Sequence, residues 1–210
     1  MAQDPGWRIT QRPGNLPPPA SVDLVPTETS TIATPPMSMR RLSYAALMVA
    51  LGLTGVYAET IPNFEVLTLV VFASGVLLGA RDGALVGAVT MLIFTVLNPY
   101  GSAHPLVMLA QVTGESVTGA CGGLAARLGI GRARLSVRIG TLVVLGLLLT
   151  ALFDTITNVA TGILFGQMRA TLIGGIPFSL WHMATNAGLF GALGAPLVGV
   201  LESYRSRLTS

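Results

Sequence analysis

Residues 137–165 read VRIGTLVVLGLLLTALFDTITNVATGILF, with only two ionisable side chains in the run, Arg138 and Asp154. A helix needs about 20 apolar residues to cross the hydrocarbon core of a bilayer, so this stretch is long enough to span one. The rest of the 210-residue chain has the same character. Hydrophobic residues make up 51% and charged residues 10%, and the mean hydropathy is +0.70. A soluble domain carries about 25% charged residues. A water-facing surface cannot be built from so few charges, which argues against a soluble enzyme. Cys121 is the one cysteine, so no intrachain disulfide can form. All twelve basic residues are arginine and lysine is absent. A Walker A loop needs a lysine to reach the phosphates, and a Schiff base needs one as nucleophile. If transport by this chain uses ATP, another subunit must supply the ATPase.

Outward from that run, the chain divides into apolar segments and short breaks. Residues 43–58, 64–78, 83–97, 105–128, 137–165 and 176–201 are the six predicted spans. The stretch from Gly79 to Gly83 is predicted as a turn. Asn98-Pro99-Tyr100-Gly101 is a stop signal, and Pro177 fits the start of a helix. Residues 1–39 are different: they hold most of the prolines, including Pro17-Pro18-Pro19 and Pro35-Pro36, with many Ser and Thr. Such a segment cannot bury enough apolar surface to offset its ordering entropy. It is expected to be a disordered cytoplasmic tail, ahead of a membrane domain over residues 40–210. It is not a secretory signal peptide, because no apolar run follows a basic start.

Six spans put both termini on one side, and the arginines choose it. With the termini inside, Arg40, Arg41, Arg81, Arg127, Arg132, Arg134, Arg138, Arg205 and Arg207 are cytoplasmic and Arg169 is outside. The fold class expected is therefore an all-α membrane protein, a compact bundle of six transmembrane helices with N- and C-termini cytoplasmic. The basic cluster from Arg132 to Arg138 is a loop between spans, not a nucleic-acid site.

Ionisable groups inside a bilayer usually face a cavity or a partner. Glu65 stands at the outer start of the second span. Gln111 and Glu115 lie in the fourth, Asp154 and Asn158 in the outer half of the fifth, and His182 and Asn186 near the outer start of the sixth. The last three pairs are each spaced i, i+4, so both members share a helix face. Their common depth predicts a polar pocket open to the outside. Interhelical hydrogen bonding is the structural alternative for such residues. Trp181, Tyr100 and Phe64 fall at the outer boundary, where an aromatic belt and stacking on a flat ligand are both open.

From about residue 40 to 207 these features resemble the substrate-binding S components of energy-coupling factor (ECF) transporters. The resemblance rests on six spans with both ends inside, and on Ala46-Leu-Met-Val-Ala50 as an Ala-x-x-x-Ala motif. It rests also on Pro62-Asn-Phe-Glu65 with Leu78-Gly79-Ala80-Arg81-Asp82-Gly83, and on Phe153-Asp154-Thr-Ile-Thr-Asn158 with Trp181-His182-Met-Ala-Thr-Asn186. The resemblance implies high-affinity capture of a small-molecule micronutrient, usually a water-soluble vitamin, from outside. It implies partnership with a transmembrane coupling subunit and two ATPase subunits, and a toppling motion that carries the pocket inward. Ala46 and Ala50 would dock on the coupling subunit. Glu65, Gln111, Glu115, Asp154, Asn158, Trp181, His182 and Asn186 would bind substrate.

Metal-carrying relatives present a histidine near the N-terminus, and this chain has none before His104. No cofactor or metal is therefore expected. Up to three carboxylates against one nearby arginine, Arg169, favour a neutral or cationic, donor-rich ligand over a polyanion. Two other classes compete. A stand-alone proton-coupled transporter or channel would use the same pocket, although matched inverted repeats are not evident. An intramembrane protease is disfavoured, since Phe72-Ala73-Ser74-Gly75 lacks the first glycine of Gly-x-Ser-Gly and lies at another depth from His182, and no His-Glu-x-x-His motif is present.

Overall fold

Capping side chains and glycines set the helix boundaries. The computed structural model describes residues 1, 38–58, 61, 64–99 and 101–205. The expected tail lies outside the described residues except for Met1, Ser38 and Met39, and the last two cap and open α1; Tyr100 and Arg207 lie outside them too. Ser38 starts α1 (Met39–Tyr57), its Oγ accepting from the Arg41 N–H at 3.4 Å. The Glu65 carboxylate accepts from the backbone N–H groups of Leu67 and Thr68 and so caps α2 (Leu67–Leu78). The negative charge also suits the positive end of that helix. Next come α3 (Ala80–Val96), α4 (Pro105–Arg127), a short 3-10 turn (Ile130–Arg132), α5 (Leu135–Phe165) and α6 (Met168–Arg205). Pro105 opens α4 at a position whose N–H would have had no helical partner. No strand occurs among the described residues.

Two boundaries differ from the sequence reading. The turn predicted over Gly79–Gly83 is a single residue, Gly79, at φ 97° and ψ 167°, a region open essentially to glycine alone. Arg81, Asp82 and Gly83 belong to the first turn of α3. The last helix starts at Met168, not near Ile176, and Pro177 lies inside it. The cause is Gly166, left-handed at φ 63°, which reverses the chain directly after α5; the Gln167 N–H bonds back to the Gly162 carbonyl at 3.0 Å. Pro177 removes one rung, the bond to the Ile173 carbonyl, and packing against α5 carries the helix through. A π turn over Phe190–Gly194 interrupts α6 before its last segment.

α2 is the central helix. Eleven of its twelve residues are buried, and it packs against α1, α3, α4 and the C-terminal part of α6. Its contact with α3 and α4 is made by backbone. A methyl group on Gly75 would overlap the Gly119 carbonyl, one on Gly119 the Gly83 carbonyl, one on Gly122 the Phe72 carbonyl, and one on Gly87 the Glu115 carbonyl. Small residues allow such close approach, and van der Waals packing holds it.

Ion pairs and caps define one end of the bundle. Arg41 of α1 pairs with Asp82 of α3 at 2.6 Å and donates to the Leu78 carbonyl at the end of α2. Arg138 of α5 donates to the Ala195 carbonyl of α6 at 3.0 Å, and Arg132 pairs with Glu202 at 3.2 Å. The C-termini of α1 and α3 and the N-termini of α2 and α4 therefore gather at the opposite end.

The distribution of polarity is inverted. Leu47 and Leu51 of α1, Leu85, Val89 and Leu92 of α3, Leu109 and Leu124 of α4, Val144 and Leu148 of α5, and Ile173, Phe178 and Leu180 of α6 are exposed. Thr68, Ser74, Thr90, Thr95, Glu115, Thr118, Thr150, His182 and Asn186 are buried. α5 and α6 are long and apolar enough to cross a membrane, and most of their apolar windows face outward.

Gly119→Ala is expected to lower stability by about 3 kcal/mol, the upper end of the usual cost of overpacking, because rigid backbone has no side-chain route of relief. Gly140, with nothing within 4 Å of an added Cβ, is the control. Gly140→Ala should be neutral or stabilising by up to about 1 kcal/mol. Thermal unfolding of both variants in detergent checks the pair.

Candidate functional site

At the end of the bundle away from the arginine clamps lies a hollow of about 180 Å3. Its polar wall is Glu65, Thr68, Gln111, Glu115 and His182. Its apolar wall is Val56, Leu67, Met91, Phe94 and Phe153. All six helices or their lead-ins reach it except the far half of α6. The seam between α2, α3 and α4 brings the polar wall together: the Glu115 backbone rests directly on Gly87, so its side chain meets Thr68 of α2.

The Thr68 hydroxyl is 2.9 Å from Glu65 Oε1 and 3.1 Å from Glu115 Oε1. One hydroxyl proton stands between two carboxylates. Glu115 is 1% exposed, and its Oε2 has no partner among the described residues. His182 Nδ1 lies 2.9 Å from Asp154 Oδ1, which assigns the Nδ1 proton to that bond. His182 Nε2 is 3.8 Å from Glu65 Oε1, ion-pair range for a protonated ring but too far for a hydrogen bond, and it has no hydrogen-bond partner among the described residues. Asp154 Oδ2 is likewise unpaired. The Thr95 hydroxyl donates to Gln111 Oε1 at 3.2 Å. The Phe153 ring meets the His182 ring edge-on, at 6.4 Å and 88°.

Of the residues singled out from the sequence, Glu65, Gln111, Glu115 and His182 line the hollow. Asp154 stands behind His182 and orients it. Asn158, Trp181 and Asn186 do not line it. Asn158 lies against Gly175. Trp181 is half exposed on the outer face of α6. Asn186 is buried, with neither amide atom paired. The reason is the antiparallel register of α5 and α6, which sets Gly162 beside Met168, Asn158 beside Gly175, Asp154 beside His182 and Gly146 beside Phe190. The i+4 partner on α5 therefore moves outward while the one on α6 moves inward. Ala46 and Ala50 are exposed on α1. Ala46 borders an apolar groove between α1 and α3, with Leu42, Val49, Leu85 and Val89 among its walls.

Thr68, Phe94, Thr95 and Phe153 are site residues that the sequence reading did not select. Thr68 was visible as a hydroxyl three residues after Glu65, within reach of its carboxylate. The aromatics had no local signal. Among the described residues no three His, Cys, Asp or Glu side chains are arranged to hold a metal ion. Comparison with known families, with curated proteins and with solved structures gives no match.

Asn186→Leu removes two unpaired polar atoms from buried surroundings. It is expected to keep or raise thermal stability, by up to about 2 kcal/mol. A clear loss of stability on thermal unfolding would instead mean that ordered water pairs the amide.

Proposed function

We propose that this chain is a membrane-embedded binding subunit that captures a small water-soluble vitamin or related micronutrient from outside the cell. In this reading it has six spans and cytoplasmic termini in the cell membrane. It is not an enzyme. A separate coupling module, one transmembrane subunit and two ATPase subunits of the ECF type, drives release to the cytoplasm.

The observation that carries the reading is a buried polar hollow inside a bundle whose exterior is apolar. A monomeric soluble protein rarely exposes contiguous apolar surface on such a scale, whereas lipid demands it. Ionisable groups enclosed at membrane depth mark a solute path. The distribution of arginine supports the orientation: Arg40, Arg41, Arg81, Arg127, Arg132, Arg134, Arg138 and Arg205 occupy the end with the clamps, and Arg169 stands at the start of α6. That leaves the hollow on the outer side. With 12 residues, α2 reaches only about 18 Å. It is enclosed by its neighbours, and backbone that leaves a helix at membrane depth is tolerated where protein buries it or a cavity receives it. The Ala46 groove is the surface we assign to the coupling subunit.

A second reading has one observation in its favour. Glu115, Thr68, Glu65, His182 and Asp154 follow one another at 2.9 to 3.8 Å, which is the arrangement a stand-alone proton-coupled carrier would use. Uptake without ATP would distinguish it.

The test begins with protein purified without added ligand and with mass spectrometry of what it retains. Glu115→Ala, Asp154→Ala and His182→Ala should each reduce retention about tenfold or more, the effect of one lost charge-assisted hydrogen bond. Ala46→Leu should leave retention unchanged and abolish ATP-driven uptake in vesicles carrying the coupling module. Normal uptake by Ala46→Leu would sink the docking assignment.

A further inference from the structure

The walls of the hollow are short of hydrogen-bond donors. Both Glu65 oxygens are satisfied, Oε2 by the Leu67 and Thr68 backbone N–H groups and Oε1 by the Thr68 hydroxyl. The same hydroxyl is the one partner of Glu115 Oε1 among the described residues, and it has a single proton to give. Glu115 Oε2, His182 Nε2 and, behind it, Asp154 Oδ2 have no hydrogen-bond partner among the described residues. A buried polar atom without a hydrogen-bond partner is destabilising, and Glu115 and His182 are both more than nine-tenths buried. Gln111 supplies the remaining side-chain amide N–H groups of the wall, its carbonyl being occupied by Thr95.

Charge points the same way. Three carboxylates, Glu65, Glu115 and Asp154, face one imidazole. Even a protonated His182 leaves carboxylates in excess. No arginine lines the hollow, and the chain has no lysine. An anion would find at most the ring of a protonated His182 as counter-charge, against carboxylates in excess. A metal ion would find no set of three suitably placed ligands among the described residues. What remains is a cation that carries its own N–H donors and an apolar body for Phe94, Phe153, Met91 and Val56. Aromatic faces also favour a nearby cation.

We infer that the ligand is a compact organic cation with at least two N–H donors, of the amidine or primary-ammonium type, held between Glu115 Oε2 and His182 Nε2. Asp154 acts as a positioning residue by holding the imidazole ring through Nδ1. At about 180 Å3 the hollow is smaller than the roughly 300–1,000 Å3 of pockets for drug-sized ligands, which suits a single ring or short chain. This inference rests on the reading of the hollow as a solute site, and it narrows that reading to one chemistry.

The experiment measures equilibrium binding of benzamidinium and benzylammonium to the purified full chain in detergent, beside their neutral and acidic counterparts benzamide and benzoate. At least one cation is expected to bind about tenfold or more tightly than benzamide, with benzoate weaker still. Glu115→Gln and His182→Gln should each remove that preference, thermal unfolding confirming that each variant is folded. Equal or tighter binding of benzamide or benzoate would overturn the inference, as would no binding of either cation or a preference that survives in a folded variant. The two proposals fail separately. If benzoate binds and ATP-driven uptake still requires Ala46, the uptake reading stands and the cation inference falls. If the cation preference holds and uptake proceeds without ATP, the reverse is true.

Discussion

The bundle depends on backbone touching backbone where α2, α3 and α4 meet. Gly75, Gly83, Gly87, Gly119, Gly122 and Gly123 each lie where a Cβ would collide with a neighbouring main chain. In the membrane setting we propose there is no hydrophobic drive between helices, so close packing of small residues would carry the association. The consequence for the site is direct. Gly87 admits the Glu115 carbonyl, and Gly75 and Gly122 hold α2 against α4. That approach lets the Thr68 hydroxyl stand between Glu65 and Glu115 at 2.9 and 3.1 Å. A seam wider by one methyl group would pull these groups apart. The apolar packing and the polar site are thus one construction.

Against that rigid half stands a second half with a different character. α5 and α6 pair with one another along their length and contribute Phe153 and His182 to the hollow, with Asp154 behind His182. α6 contains Pro177 and the π turn over Phe190–Gly194, two interruptions of its hydrogen-bond ladder on either side of His182. Such features bend helices and recur at functional sites. The carboxylates Glu65 and Glu115 are thus placed by the seam, while the imidazole is carried by the helix that contains both interruptions.

Much of the architecture was legible in the sequence because its punctuation is chemical. Asn98-Pro99 ends α3, Pro105 begins α4, and the run from 137 to 165 falls within α5. The shared depth of Gln111, Glu115, Asp154 and His182 could be counted from helix ends, and those four do come together. Asn158 and Asn186 could not be placed so, because which of two i+4 neighbours faces a partner depends on the register between helices, a tertiary quantity. Pro177 misled for a related reason: its local preference for a helix start lost to packing along α5 and to the reversal at Gly166. The seam itself was written as Gly83-x-x-x-Gly87 and Gly119-x-x-x-Gly123, a spacing that admits close helix contact but does not name the partner helix.

The most direct test of the account is a side-chain-resolution density map of the protein in lipid, with the small molecule it retains. The account predicts density for that molecule in the hollow, against Glu115 and His182, with Gly87 still in contact with the Glu115 backbone. Density for the molecule in the groove of α1 and α3, or on the lipid-facing surface beside Trp181, would contradict it.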